Sequence, residues 1–126
     1  MRNLILITAL STLSAPAMAD VYDEQIASQC GDVKEVAYAS YINAQSGVAI
    51  ETTLVRLSSI YSNDYEFEFM AGFVKTAYKI PAPAIDTSLK DTATKVGQVS
   101  RDACVKVLRD AVDGMIEDQS DDKVGM

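Results

Sequence analysis

The chain has 126 residues, 48% hydrophobic and 23% charged, with 18 acidic against 11 basic side chains and a formal charge of −7. That length bounds one small domain with a single core. An acidic chain without a Lys/Arg cluster suits neither nucleic acid nor an anionic membrane surface and is better matched to a cationic protein partner, although solubility alone also accounts for such a charge.

Residues 1–19 read as a secretory signal. Arg2 supplies a basic start, Leu4 to Leu13 is uncharged and mostly apolar, and Ala17-Met18-Ala19 has the small-x-small form of a cleavage site, with Pro16 ending the apolar helix. The run is too short for the roughly 20 residues of a membrane span. Cleavage after Ala19 leaves a chain starting at Asp20 with a charge of −8, since Arg2 is lost and no acid is. The expected location is therefore periplasmic or secreted. Two cysteines in an exported chain predict one disulfide, Cys30 to Cys104. Closing a loop of that size stabilises the fold by on the order of 4 kcal/mol in the chain-entropy picture.

The helical domain is expected over residues 20–117. An acidic lead-in, Asp20 to Gln29, turns helical from about Tyr22. Asp32 with Glu35 three residues on has the form of a capping box, and Val33, Val36, Ala37, Ser40, Tyr41 and Ala44 then mark one helix face, stopped by Gly47. Ile50, Leu54, Leu57 and Tyr61 predict a helix over about 49–61. Asn63 or Asp64 caps a third, with Glu66 and Glu68 in its first turn. This third helix is the most apolar, carrying Phe69, Met70, Phe73, Val74, Ala77 and Ile80. It is expected to be central, with Gly72 at a close helix crossing and Pro81 and Pro83 ending it. Asp86 is the expected cap of the last and longest helix, which runs to about Glu117, carries Cys104 and organises the chain, with Gly97 as a bend or break. Residues 118–126 are acidic and non-periodic, the composition of a disordered tail.

Little in this inventory supports chemistry. The lack of histidine removes the usual general base near neutral pH and the commonest zinc and copper ligand. A disulfide removes both thiols, and there is no phosphate-cradling glycine loop or calcium loop. Glu66 and Glu68 point to different helix faces. Asp110 and Asp113 could be neighbours, Ser58-Ser59 lies near Arg56, and Ser88 lies near Lys90, but each reads as ordinary surface. No catalytic, cofactor or metal residue is expected, and no cofactor. The one candidate contact patch is Asp64, Tyr65, Glu66, Phe67 and Glu68, where aromatics beside acids at a helix start would suit a basic partner.

Cys30, the Gln45-Ser46-Gly47-Val48 turn, the Ala77-Tyr78-Lys79-Ile80-Pro81 stretch and Cys104 resemble the layout of a diffuse group of small exported bacterial and phage proteins with no assigned function. Members carry a signal peptide, two cysteines and an A-Y-x-x-P stretch. The resemblance implies export, the disulfide and an all-α fold, and carries over no site. Periplasmic acid-stress chaperones of the HdeA type and secreted immunity proteins share the small, helical layout without a common motif.

The expected fold is an all-α bundle of about four main helices with one disulfide. The expected function is that of a non-enzymatic binding protein, of inhibitor or immunity type, acting through an acidic helical surface. The alternative is a periplasmic acid-stress chaperone of the HdeA-like type, in which neutralised carboxylates loosen the bundle and expose Phe69 and Phe73. An enzyme using carboxylates alone is a third, weaker reading.

Overall fold

The computed structural model describes residues 15–124, with side chains over residues 21–115. They form four helices: α1 (Ala15–Gln45), α2 (Ile50–Ile60), α3 (Asp64–Lys79) and α4 (Leu89–Val124). Among the described residues there is no strand, and no helix there is long and apolar enough to cross a membrane. The predicted signal lies outside the described residues over 1–14, and α1 begins within its last five positions.

The hub is α1. It packs against α4, α3 and α2, while α2 rests mainly on α3. The expectation that the third helix is central is thus corrected. The physical reason is that α1 buries residues toward two neighbours at once. Ile26, Cys30 and Val33 join Leu57, Met70, Ala71, Val74 and Cys104 in one cluster, and Ala37 and Tyr41 join Ala77, Ala93 and Val96 in a second. This two-sided burial also explains why α1 has no break at Asp32. Ile26 and Cys30, six and two residues upstream, are already buried, so packing holds the helix through Gly31 despite roughly 1 kcal/mol of propensity cost. Asp32 is an interior helix residue, not a cap.

Register follows from contacts along α1. As α1 rises through Asp23, Cys30 and Lys34, its neighbours on α4 fall through Arg109, Cys104 and Gly97. The two long helices are therefore antiparallel. On the other side α3 runs parallel to α1. The buried Tyr41 phenol donates to Pro81 O at 2.8 Å, and Gln45 Nε2 donates to Ile80 O at 3.4 Å. Burial raises the Tyr41 pKa above its ordinary value, so this group stays a neutral donor. Tyr78 OH bonds Thr53 Oγ1 at 2.7 Å and Val48 O at 3.0 Å, tying α3 back to the start of α2.

The helix ends follow local chemistry. Gly47 has φ +84°, Val48 N donates to Asn43 O and Gly47 N to Ala44 O, which is a Schellman closure of α1. Asn63 Oδ1 accepts from Tyr65 N at 2.9 Å and Glu66 N at 3.2 Å, capping α3. The α4 cap is Ser88, whose Oγ accepts from Asp91 N at 3.0 Å, and not Asp86, which lies in a turn of the preceding connector. A hydroxyl placed three residues before an acid wins because it reaches the third amide of the helix directly.

Gly97 does not split α4, which is continuous to Val124. It marks a close approach of α4 to α1. A Cβ there would stand 2.8 Å from Lys34 O, whereas one on Gly72 would meet nothing within 4 Å. The expected close crossing at Gly72 is corrected accordingly. Residues 118–124, expected to be unstructured, continue α4; no proline or glycine lies between Gly114 and Gly125 to stop it. Residues 125–126 lie outside the described residues.

Two substitutions test this packing. Gly97→Ala should lower stability by about 1–2 kcal/mol, since a clash with backbone outweighs the helix-propensity gain, while Gly72→Ala should raise it by about 0.5–1 kcal/mol. Urea midpoints moving in opposite directions would verify both. The Cys30–Cys104 disulfide spans 74 positions. Replacing both cysteines with serine should cost on the order of 4 kcal/mol, read from the same unfolding curves with and without reductant.

Candidate functional site

The expected contact patch lies at the turn between α2 and α3. The three-residue connection 61–63 makes these helices antiparallel neighbours, and the Asn63 cap fixes the direction in which α3 starts. At helical spacing Asp64, Tyr65 and Glu68 share one face, and all three are exposed, Tyr65 at 89%. The other two members turn away. Phe67 is half-buried and packs against the first core cluster, and Glu66 is half-buried on the flank. The patch therefore narrows to Asp64, Tyr65 and Glu68. Sequence reasoning missed Ile60, the last residue of α2, which is 70% exposed just before the turn. Its place on the apolar side of a short helix gave no signal that the bundle ends before covering it.

The same α3 face continues through Gly72, Thr76, Lys75 and Lys79, all exposed. Acids thus stand at the start of the helix and lysines at its end, as the helix dipole favours. The charge of this face is local: anionic only around Tyr65.

The residues weighed for chemistry are otherwise engaged. Ser58 Oγ donates to Val55 O at 2.6 Å and Ser59 Oγ to Arg56 O at 2.7 Å. Ser88 serves as the α4 cap. Asp110 pairs with Lys106 at 3.2 Å, and Asp113 is exposed. Phe69 and Phe73 meet edge to face with ring centres 5.3 Å apart. Among the described residues no three acids or cysteines gather closely enough to hold a metal ion. An open groove of about 290 Å³ lies where α4 drops onto α1 at Gly97, lined by Lys34, Glu35, Tyr38, Thr94 and Gly97. Its two charged groups, Lys34 and Glu35, are of opposite sign.

No protein-family model matches the chain, and no characterised protein or solved structure matches it. The disulfide fits an oxidising compartment.

Because one side chain caps α3, Asn63→Ala should cost about 1 kcal/mol and fray the turn that carries Tyr65. Faster amide hydrogen exchange at Tyr65 and Glu66, with little change in α4, is the expected measurement.

Proposed function

We propose that the chain is an exported, periplasmic binding protein that engages a cationic protein through the corner formed by Ile60, Asp64, Tyr65 and Glu68, as an inhibitor or immunity-type protein would. The observation that carries this reading is Tyr65. A large aromatic side chain stands almost fully exposed between two exposed carboxylates, on a helix start held by a side-chain cap. Tyrosine provides rigid contact area with a polar tip, and tyrosine is enriched among residues that dominate binding energy. The neighbouring acids favour a basic partner in approach rate and in choice of partner. Export is supported by residues 1–19, by the disulfide and by the resemblance to small exported proteins.

The acid-stress chaperone reading has less support. Among the described residues the ion pairs Arg101–Asp102, Lys106–Asp110 and Arg109–Asp23 are all exposed. Exposed pairs contribute about 0–1 kcal/mol each, so neutralising their carboxylates removes little native interaction.

Affinity capture from periplasmic extract tests the corner directly. The native chain should retain a basic protein in stoichiometric amount, released by salt. Tyr65→Ala should weaken retention by about tenfold or more, with an unchanged melting temperature because the side chain is exposed. Recovery of no stoichiometric partner, or equal retention by the variant, would overturn the proposal.

A further inference from the structure

Three connections join the four helices. Residues 46–49 and 61–63 are short, and residues 80–88, between α3 and α4, form the long one. Ile80 leaves α3 in the extended region, with φ −77° and ψ 131°, and Pro81 and Pro83 oppose a return to helix. Ala84 to Thr87 then form a turn closed by one backbone hydrogen bond, Thr87 N to Ala84 O at 2.9 Å. From Pro81 to Ser88 every residue except Pro83 is exposed, and Ile85 in the turn is fully so, at 102%. An aliphatic side chain in that position gains nothing from burial in its own fold.

The cleft of an endopeptidase fits such a segment. Exposed loop tips of small residues are preferred places for proteolytic nicking. A peptidase takes the substrate main chain extended and seats one side chain in a pocket. Over 80–88 only Asp86 is charged, and Ile85 is the one large side chain standing free, since Ile80 packs against the second core cluster. Proline's ring and missing N–H obstruct cleavage at its own nitrogen, which sets aside the bonds from Ile80 to Pro81 and from Ala82 to Pro83. The two short connections are locked at helix ends by the Gly47 closure and the Asn63 cap.

We propose that residues 82–87 are a processing site for an endopeptidase whose pocket takes small aliphatic side chains, that it cuts next to Ile85, and that the cut chain remains one folded molecule. Water adds to the carbonyl of Ala84 or Ile85, the C–N bond that follows breaks, and the new ends are a carboxylate and an amine. Both sides of the cut stay on α1. Upstream, Tyr41 and Gln45 donate to Pro81 O and Ile80 O. Downstream, Ala93 and Val96 pack with Ala37 and Tyr41, and Cys104 is bonded to Cys30. The proposal is independent of the α2–α3 corner.

Digestion of the purified, disulfide-bonded chain with an elastase, a serine peptidase that takes small aliphatic residues, provides the test. The first cut should leave Ile85 or Asp86 as the new N-terminus. The product should keep its helical circular dichroism, run as one species without reductant and separate into two fragments with it. Ile85→Asp, whose exposed side chain leaves the fold intact, should be cut there at least about tenfold more slowly, since apolar pockets discriminate by that much over a single methylene. Val55→Asp, also exposed but within α2, should be cut next to Ile85 at the native rate. Resistance of the native chain, a first cut elsewhere, loss of helical signal on cutting, or an equal rate for Ile85→Asp would overturn the proposal.

Discussion

The contact between α1 and α4 is the constraint on which the rest of the molecule depends. It is fixed at two points two helical turns apart, by a covalent bond at Cys104 and by steric approach at Gly97. The first point limits how far the helices can separate, the second how close they must come. With that pair set, α1 has a second face left for α3, and α2 is added as a brace over α3 through Tyr78 and Thr53. The second cluster is built largely from alanines, Ala37, Ala77 and Ala93, around Tyr41, so three helices come close there around a single large side chain.

The same arrangement separates the molecule's surfaces. α3 and α4 contact α1 along different faces, with little contact between them. The corner bearing Tyr65 and the outer side of α4 therefore belong to different elements and differ in charge character. One is acidic around an aromatic, the other carries both signs, with Lys106 paired to Asp110. Surface charge is thus distributed unevenly over the two elements.

Much of the fold was legible in the residues. Gly47 stops α1, Asn63 caps α3, Pro81 lies just past the end of α3, and the two cysteines pair. Most of what was not legible shares one cause: local signals were read where tertiary packing decides. Asp32 followed by Glu35 has the form of a helix start, but Ile26 and Cys30 are buried upstream and continue the helix through it. Gly72 and Gly97 both lie inside helices, and only the position of Lys34 on another helix distinguishes them. Asp86 and Ser88 are both capping residues, and the reach of one hydroxyl to Asp91 N separates them. The contact patch was legible as a place but not as a set, because the pattern of Tyr65 and Phe67 does not show which ring the core takes in.

The pairing of first helix with last also dictates an order of assembly. A chain emerges from synthesis N-terminus first. α1 is complete long before α4 exists, with Cys30 unpaired and one apolar side open to solvent. The α2–α3 hairpin can cover the opposite side early, through contacts close in sequence. The remaining side must wait for residues more than seventy positions downstream, and closing so long a loop is slow relative to local pairing. Any partly folded chain that lacks α4 leaves exposed the strip of α1 that α4 fills, and the disulfide is the bond that keeps that strip covered.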